Sequence, residues 1–364
     1  MGKQVKFLDI YKQDKKIHYY FIKLLKKHFK ASDFILGKSV EIFEKNFSKF
    51  TKSKYSIGCA NGTDALYLAL KCLNLPRNSE VIVLAMTWIS TVLSIINNNL
   101  KPVLVDVDRN SSLISLNEIK KKINKKTKVI LPVNLYGSVV NIKQIKKIIG
   151  IRKIFIIEDS AQAHGSKDDL GNNIGKYSDL SCYSFYPGKN LGCYGDGGMI
   201  TTNSKLYYDK LIKLRNLGSK IKHKHDEIGI NSRLDTIQAS LLNLKLKNLH
   251  NLNLKRKKIA KFYNKNIKNK KINIIEYSKN SVFHQYVILV QNRNNLIKLL
   301  KQNNIQYGIH YPISINKLNC FKNLFKNKKF INSEFIASSC LSLPIDPNLT
   351  LKDQKKICLV LNSY

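Results

Sequence analysis

Arginine is scarce in this chain, with seven residues against 56 lysines, although basic side chains number 63, acidic ones only 24, and the formal net charge is +39. That shortage decides how the charge is read. Planar, bidentate recognition of phosphates and bases draws on arginine, and the lysines are spread along the whole chain rather than gathered in one patch. No nucleic-acid partner is expected. Short runs such as Lys120-Lys121-Lys122 and Lys255-Arg256-Lys257-Lys258 fall on helical sequence, where they read as solvated faces. Long apolar runs are missing too. No stretch approaches the roughly 18 apolar residues of a membrane span, and the opening MGKQVKFLDIYKQDKK lacks the apolar core of a signal peptide, so a cytoplasmic protein with no membrane partner is expected. The seven cysteines are odd in number and include no C-x-x-C pair, which suggests neither a disulfide framework nor a zinc site. No metal is expected. Internal repeats and low-complexity linkers are also absent.

What remains is a chain of 364 residues, 43% of them apolar, long enough for one large α/β domain and a smaller one. The segment TDALYLALKCL, residues 63–73, places Leu66, Leu70 and Leu73 at helical spacing. Four short apolar runs follow, Val81–Leu84, Pro102–Val105, Val129–Val133 and Ile154–Ile157. Apolar runs of that length alternating with helices predict buried parallel strands, and ligands sit at the carboxyl ends of such strands.

The chemistry-bearing residues gather at those ends. The run Ile154–Ile157 leads into EDSAQAHG, placing Asp159 just past the strand, with Gln162 and His164 in the following loop. Trp88, the only tryptophan, follows the run Val81–Leu84. A helix opens at Gly62-Thr63-Asp64, with Asn61 and Thr63 as candidate caps, and the backbone N–H groups at such an end form a phosphate site. Lys189 sits in SFYPGKNLGCYGDGGMI, between a Pro-Gly turn and four glycines, a packaging that a solvated lysine does not require. One cofactor needs all of these: pyridoxal phosphate calls for a lysine, a carboxylate for the ring nitrogen, an aromatic face and a helix N-terminus. Taken singly, Asp159 reads equally as a turn cap, Trp88 as core, and His164 either as lining the site or as satisfying a loop carbonyl.

Eight ordered segments carry a resemblance over nearly the whole length: FILGKSVEIFEKNF (34–47), CANGTDALYLAL (59–70), MTWISTVLSI (86–95), VNLYG (133–137), IEDSAQAHGS (157–166), SFYPGKNLGCYGDGGMI (184–200), NSRLDTIQASLL (231–242) and HYPI (310–313). The chain resembles the DegT/DnrJ/EryC1/StrS nucleotide-sugar aminotransferases. The resemblance implies an α/β, aspartate aminotransferase-like fold with a large pyridoxal-phosphate domain (1–242) and a small C-terminal α+β domain (243–364). It also implies a homodimer with shared active sites. Lys189 would form the Schiff base and carry the proton, Asp159 would pair with the ring nitrogen, Trp88 would stack on the ring and Gln162 would face its 3′-oxygen. The phosphate would be held by Gly62, Thr63, Ser184 and, from the other subunit, Asn231. His164, Arg233, His310 and Tyr311 are the candidates for substrate contact. For Arg233 the competing role is an ion pair with Asp235 or with a carboxylate of the other subunit.

L-Glutamate would be the amino donor and a nucleotide-linked keto-sugar the acceptor. The pairing of AQAHG with SFYPGKNLG resembles members that aminate C3, with C4 amination and a non-catalytic pyridoxal-phosphate-binding regulator as the alternatives. Lys189 argues against a dehydratase offshoot that carries histidine there. Departures from the family pattern at Cys193, in residues 168–180 and at Asp346 are expected to lie near the sugar.

Overall fold

The segment Glu80–Leu84 is buried at every position, which requires cover on both of its faces. In the computed structural model, which describes residues 4–221 and 223–364, it is the second strand of a seven-stranded sheet. Strands β1 (Tyr55–Cys59), β2 (Glu80–Leu84), β3 (Lys101–Val105), β4 (Thr127–Leu131), β5 (Phe155–Asp159), β6 (Leu180–Ser184) and β7 (Gly198–Thr202) lie in the spatial order β1-β7-β6-β5-β4-β2-β3. The pairs β2–β3, β2–β4, β4–β5 and β5–β6 are parallel, whereas β7 is antiparallel to both β6 and β1. Only β7 is therefore reversed. The carboxyl ends of β1, β2, β5 and β6 consequently open on one edge of the sheet, where α/β proteins present their ligand loops.

Helices α1 (Ile10–Ala31) and α2 (Lys38–Thr51) precede the sheet; α3 (Gly62–Cys72), α4 (Ile89–Asn97), α5 (Leu116–Lys122) and α6 (Ile142–Ile149) connect its strands, and α7 (Lys205–Leu214) leads out of it. The four apolar runs fall on β2 to β5. Strand β5 continues beyond its run to include Asp159, because Ile157, Glu158 and Asp159 pair with Leu180, Ser181 and Cys182 of β6.

A hairpin, β8 (Ser219–Ile221) and β9 (Lys224–His225), leads to α8 (Thr236–Leu246) and the long α9 (Leu249–Asn266). A second, antiparallel sheet of β10 (Ile272–Ile274), β11 (Tyr286–Val290) and β12 (Cys340–Leu343) follows, accompanied by α10 (Arg293–Gln302), α11 (Ile331–Ser339) and α12 (Leu351–Asn362). It has its own core, in which Tyr263, Ile288, Leu341 and Ile357 are buried together. The start of the chain belongs to this layer: Val5 bridges Ile305, and the Phe7 N–H donates to Gln306 Oε1 at 2.8 Å. A large mixed sheet with a smaller α+β layer is the expected α/β architecture. Among the described residues no helix is long and apolar enough to cross a membrane.

A buried ion pair ties α1 to α8, and its carboxylate also holds the loop that follows Lys189. Asp14 Oδ2 accepts from Lys245 Nζ of α8 at 2.8 Å and from the Tyr194 hydroxyl at 2.9 Å, and both charged side chains are at most 4% exposed. Removing one partner of such a pair strands the other charge without water.

Candidate active site

Successive side chains of a strand face opposite ways, so Glu158 and Asp159 at the end of β5 serve different sides of the sheet. Glu158 is closed into structure: its carboxylate accepts from Asn134 Nδ2 at 3.0 Å, the Gly175 N–H at 3.0 Å and Ser178 Oγ at 2.6 Å. Asp159 has fewer donors. Its Oδ2 accepts from Thr91 Oγ1 at 2.9 Å and its Oδ1 from the Ala161 N–H at 3.2 Å. Asp159 thus makes the turn contact of an ordinary cap with one oxygen and takes a hydroxyl from α4 with the other. Burial pushes its pKa up, and the two donors and the Lys189 ammonium pull the other way.

Lys189 is anchored by its backbone, the N–H donating to the Tyr186 carbonyl at 2.9 Å. The turn is tight enough that a Cβ at Gly192 would lie 2.5 Å from the Pro187 carbonyl oxygen. No hydrogen-bond or ion-pair partner for the Lys189 side chain occurs among the described residues. Burial lowers its pKa to about 8, against the attraction of Asp159. The result is an amine with a neutral fraction near physiological pH far above that of an ordinary lysine, within electrostatic reach of a carboxylate.

The N-terminus of α3 stands beside Ser184, the last residue of β6. A Cβ at Gly62 would lie 2.6 Å from the Ser184 Cβ and 3.1 Å from its Oγ, so only glycine permits this approach. Asn61 is the cap, accepting the Asp64 N–H at 2.8 Å. Thr63 is not a cap; its hydroxyl donates to Ser90 Oγ at 2.8 Å. The N–H groups of Gly62 and Thr63 are left to point out of the helix next to a hydroxyl, an arrangement suited to an anion.

Trp88, just past β2, is 56% exposed rather than core, and its ring centroid lies 5.3 Å from that of Tyr311. The Tyr311 hydroxyl accepts from Gln162 Nε2 at 2.9 Å, while Gln162 Oε1 accepts from the Tyr136 N–H at 2.7 Å. Lys189, Asp159, Trp88, Gln162, Tyr311, Gly62, Thr63 and Ser184 therefore lie on elements that meet at the one sheet edge. Thr91 and Tyr136 hold two of these side chains and were not singled out in the sequence. Thr91 could have been found from MTWIST, where it follows Thr87 by one helical turn and its hydroxyl lies 3.0 Å from that of Thr87.

The remaining candidates have contacts of their own. His310 turns toward the second sheet, with Nδ1 2.8 Å from Ser342 Oγ. Arg233 donates to Asn216 Oδ1 at 3.1 Å and makes no ion pair with Asp235 among the described residues. Asn231 is exposed, in a backbone bridge to Asn216. Of the three departures from the family pattern, Cys193 and Asp346 are buried. Cys193 is fully buried in a core with Phe43, Phe185 and Leu234. Asp346 is buried, accepting from the Asp9 N–H at 2.8 Å and the Asn348 N–H at 2.6 Å. Residues 168–180 fold onto the Glu158 side of β5 through Gly175 and Ser178.

His164 is fully buried between the rings of Tyr183 and Phe185, at centroid distances of 5.6 and 5.7 Å. Neither ring nitrogen has a partner in good hydrogen-bond geometry, the Ser184 backbone exerting only a minor pull on the ring, and the ring is closed off from solvent. Burial lowers its pKa to about 3. The native protein refuses a proton that the unfolded chain accepts near pH 6.5, so stability is intact above that pH and is lost as pH falls toward 3. At pH 5 the loss is roughly 2 kcal/mol. His164→Phe is expected to remove about that much of the stability difference between pH 7 and pH 5 in urea unfolding; an unchanged pH slope would contradict the assignment.

The donor set fits pyridoxal phosphate: an amine of lowered pKa, a buried carboxylate within its electrostatic reach, an exposed indole, and a glycine-lined helix end beside a hydroxyl. The sequence profile of the DegT/DnrJ/EryC1/StrS aminotransferase family matches residues 15–362. The chain belongs to that family. As a member it is a pyridoxal-phosphate-dependent aminotransferase. It is 37% identical over 333 residues to dTDP-3-amino-3,6-dideoxy-alpha-D-galactopyranose transaminase of Aneurinibacillus thermoaerophilus, covering 91% of each chain. It is also 34% identical over 359 residues to a pleiotropic regulatory protein of Geobacillus stearothermophilus, covering 97% of this chain and 96% of that one. S. venezuelae DesV, solved in complex with a ketimine intermediate, superposes with a TM-score of 0.96 at 29% identity, over 100% of this chain and 98% of that one. The fold is thus that of the aminotransferases of this family.

Proposed function

We propose that this aminotransferase moves the amino group of L-glutamate to C3 of a nucleotide-linked keto-sugar, in the cytoplasm, for cell-surface polysaccharide or glycoconjugate synthesis. The observation that carries the reading is Lys189, held in a tight glycine turn with no side-chain partner among the described residues and within electrostatic reach of the buried Asp159 carboxylate. The A. thermoaerophilus relative, whose product carries its amino group at C3, supports the position. The large domain would span residues 1–242, apart from the opening segment around Val5 and Phe7 that packs with the small one, 243–364.

Gly62, Thr63 and Ser184 would hold the cofactor phosphate, joined by Asn231 from the second subunit of a homodimer with shared sites. Trp88 would cover the ring, Gln162 would face its 3′-oxygen, Asp159 would hold the ring nitrogen and Lys189 the aldehyde carbon. Pyridoxal phosphate, once bound, supplies the electron sink that makes the glutamate α-proton acidic. Lys189 Nζ would take that proton, and no second base is required. Tyr311, whose hydroxyl meets Gln162 at 2.9 Å, would line the sugar side, with Arg233 as a candidate for the nucleotide phosphates. Incubation with L-glutamate and matched 3-keto and 4-keto nucleotide sugars, followed by NMR of the product, tests the position: amination at C3 is expected, and amination of the 4-keto substrate alone overturns it.

A further inference from the structure

Because the Lys189 side chain has no partner among the described residues, the place of its Nζ depends on what holds the backbone beside it. The next residue, Asn190, is buried, and its whole amide is engaged. Its Nδ2 donates to Asn253 Oδ1 at 2.9 Å and to the Val282 carbonyl at 3.3 Å, and its Oδ1 lies 3.1 Å from His284 Nδ1. Asn253, on α9, donates in turn from Nδ2 to the His164 carbonyl at 2.8 Å, in the loop that follows Asp159. His284 stands just ahead of β11, and its Nε2 meets Gln285 Nε2 at 3.4 Å.

One buried chain of hydrogen bonds therefore joins the backbone bearing Lys189, the loop after Asp159, helix α9 and the entry to the second sheet. Its polarity is defined. An amide oxygen only accepts, so His284 Nδ1 carries the proton and Nε2 is left to accept from the Gln285 amide. Burial keeps the ring neutral, with the nearby Lys189 and Arg256 cations acting in the same direction. The fit is close at the far end as well, where a Cβ at Gly165 would lie 3.1 Å from Asn253 Nδ2.

We propose that Asn190, locked by Asn253 and His284, is a positioning residue that keeps Lys189 in register with Asp159, so that α9 and the second sheet set the reactivity of a lysine on the first. The inference rests on the reading of Lys189 as the cofactor-holding residue. A buried network that only added stability would tie these elements together without changing the amine; one that positions it controls the distance over which the proton moves. Misplacement by about 1 Å costs roughly 10²-fold in rate.

The test begins with borohydride reduction of the wild-type holoenzyme and peptide mapping. A tag on another lysine overturns the reading of Lys189 itself. With the tag on Lys189, three full-length variants are compared: His284→Asn, which keeps an N–H at the reach of Nδ1, His284→Leu, and Asn253→Ala. Each is measured for kcat and for KM of glutamate. The pH midpoint of Lys189 acetylation is read by mass spectrometry on the cofactor-free protein. His284→Leu and Asn253→Ala are expected to lower kcat by roughly 10²-fold with KM changed by no more than about twofold, and His284→Asn to stay within about threefold of wild type. The acetylation midpoint is expected to leave its wild-type value near 8 in the first two variants and to keep it in the third. Wild-type kcat and midpoint in His284→Leu, or a His284→Asn variant no better than His284→Leu, overturn the positioning role. If His284→Leu fails to fold, Asn253→Ala decides by the same two readouts.

Discussion

Lys189→Ala is expected to abolish amino transfer, by at least about 10⁴-fold, because the residue that holds the cofactor also carries the proton and no neighbour can replace it. The other titratable groups near it are unsuited to the task. His164 and His310 have pKa values lowered to about 3 and about 4 by burial, His164 is sealed from the cleft, and Asp159 is engaged by Thr91 and Ala161. The variant should also contain no cofactor that borohydride can fix, although phosphate-anchored cofactor can remain. A pH test accompanies it in the wild type. Only the neutral amine attacks an aldehyde, and burial has lowered the Lys189 pKa from the ordinary 10.5 to about 8. The rate of cofactor capture by the cofactor-free protein should therefore rise with pH and level off above about 8. Capture that kept rising to pH 10, or a variant that retained turnover, would remove Lys189 from the chemistry.

The parts of this fold that could be read in the sequence are those specified over short distances. Apolar runs such as Val81–Leu84 announce buried strands because every side chain in them must avoid water, and Asn61-Gly62 announces a helix start because the cap is three residues from the N–H it satisfies. Contacts made across the fold leave no such local trace. Thr91 meets Asp159 across 68 positions, and Asn190 meets His284 across 94; in sequence these are polar residues among many others. The reversal of β7 is also invisible, since Gly198–Thr202 has the composition of any buried strand. Cys193 and Asp346 show a related limit. Difference from a family pattern does not imply closeness to a substrate: one fills a core and the other accepts from the backbone N–H groups of Asp9 and Asn348.

Asp159→Asn should cripple turnover while leaving the fold intact, and the reason lies in what the substitution keeps. The amide is nearly isosteric, and its oxygen still accepts from the Thr91 hydroxyl or the Ala161 N–H, so β5 and α4 retain their tie. What disappears is the negative charge that favours a protonated ring nitrogen, and loss of one such electrostatic stabiliser costs roughly 10² to 10³-fold in kcat. A second readout needs no cofactor. The Asp159 carboxylate is the group that holds the Lys189 pKa up against burial, so in Asp159→Asn the acetylation midpoint of Lys189 should move below its wild-type value near 8. A companion variant separates charge from position. Thr91→Val removes a donor that favours the charged form of Asp159, so the Asp159 pKa should rise further, and the acid limb of the pH–rate profile should move to higher pH while activity at alkaline pH is largely kept. Turnover of Asp159→Asn within a few-fold of wild type, with an unmoved Lys189 midpoint, would show that the carboxylate neither stabilises the ring nitrogen nor tunes the lysine, and Asp159 would be left as the turn cap that its contact with Ala161 already makes it.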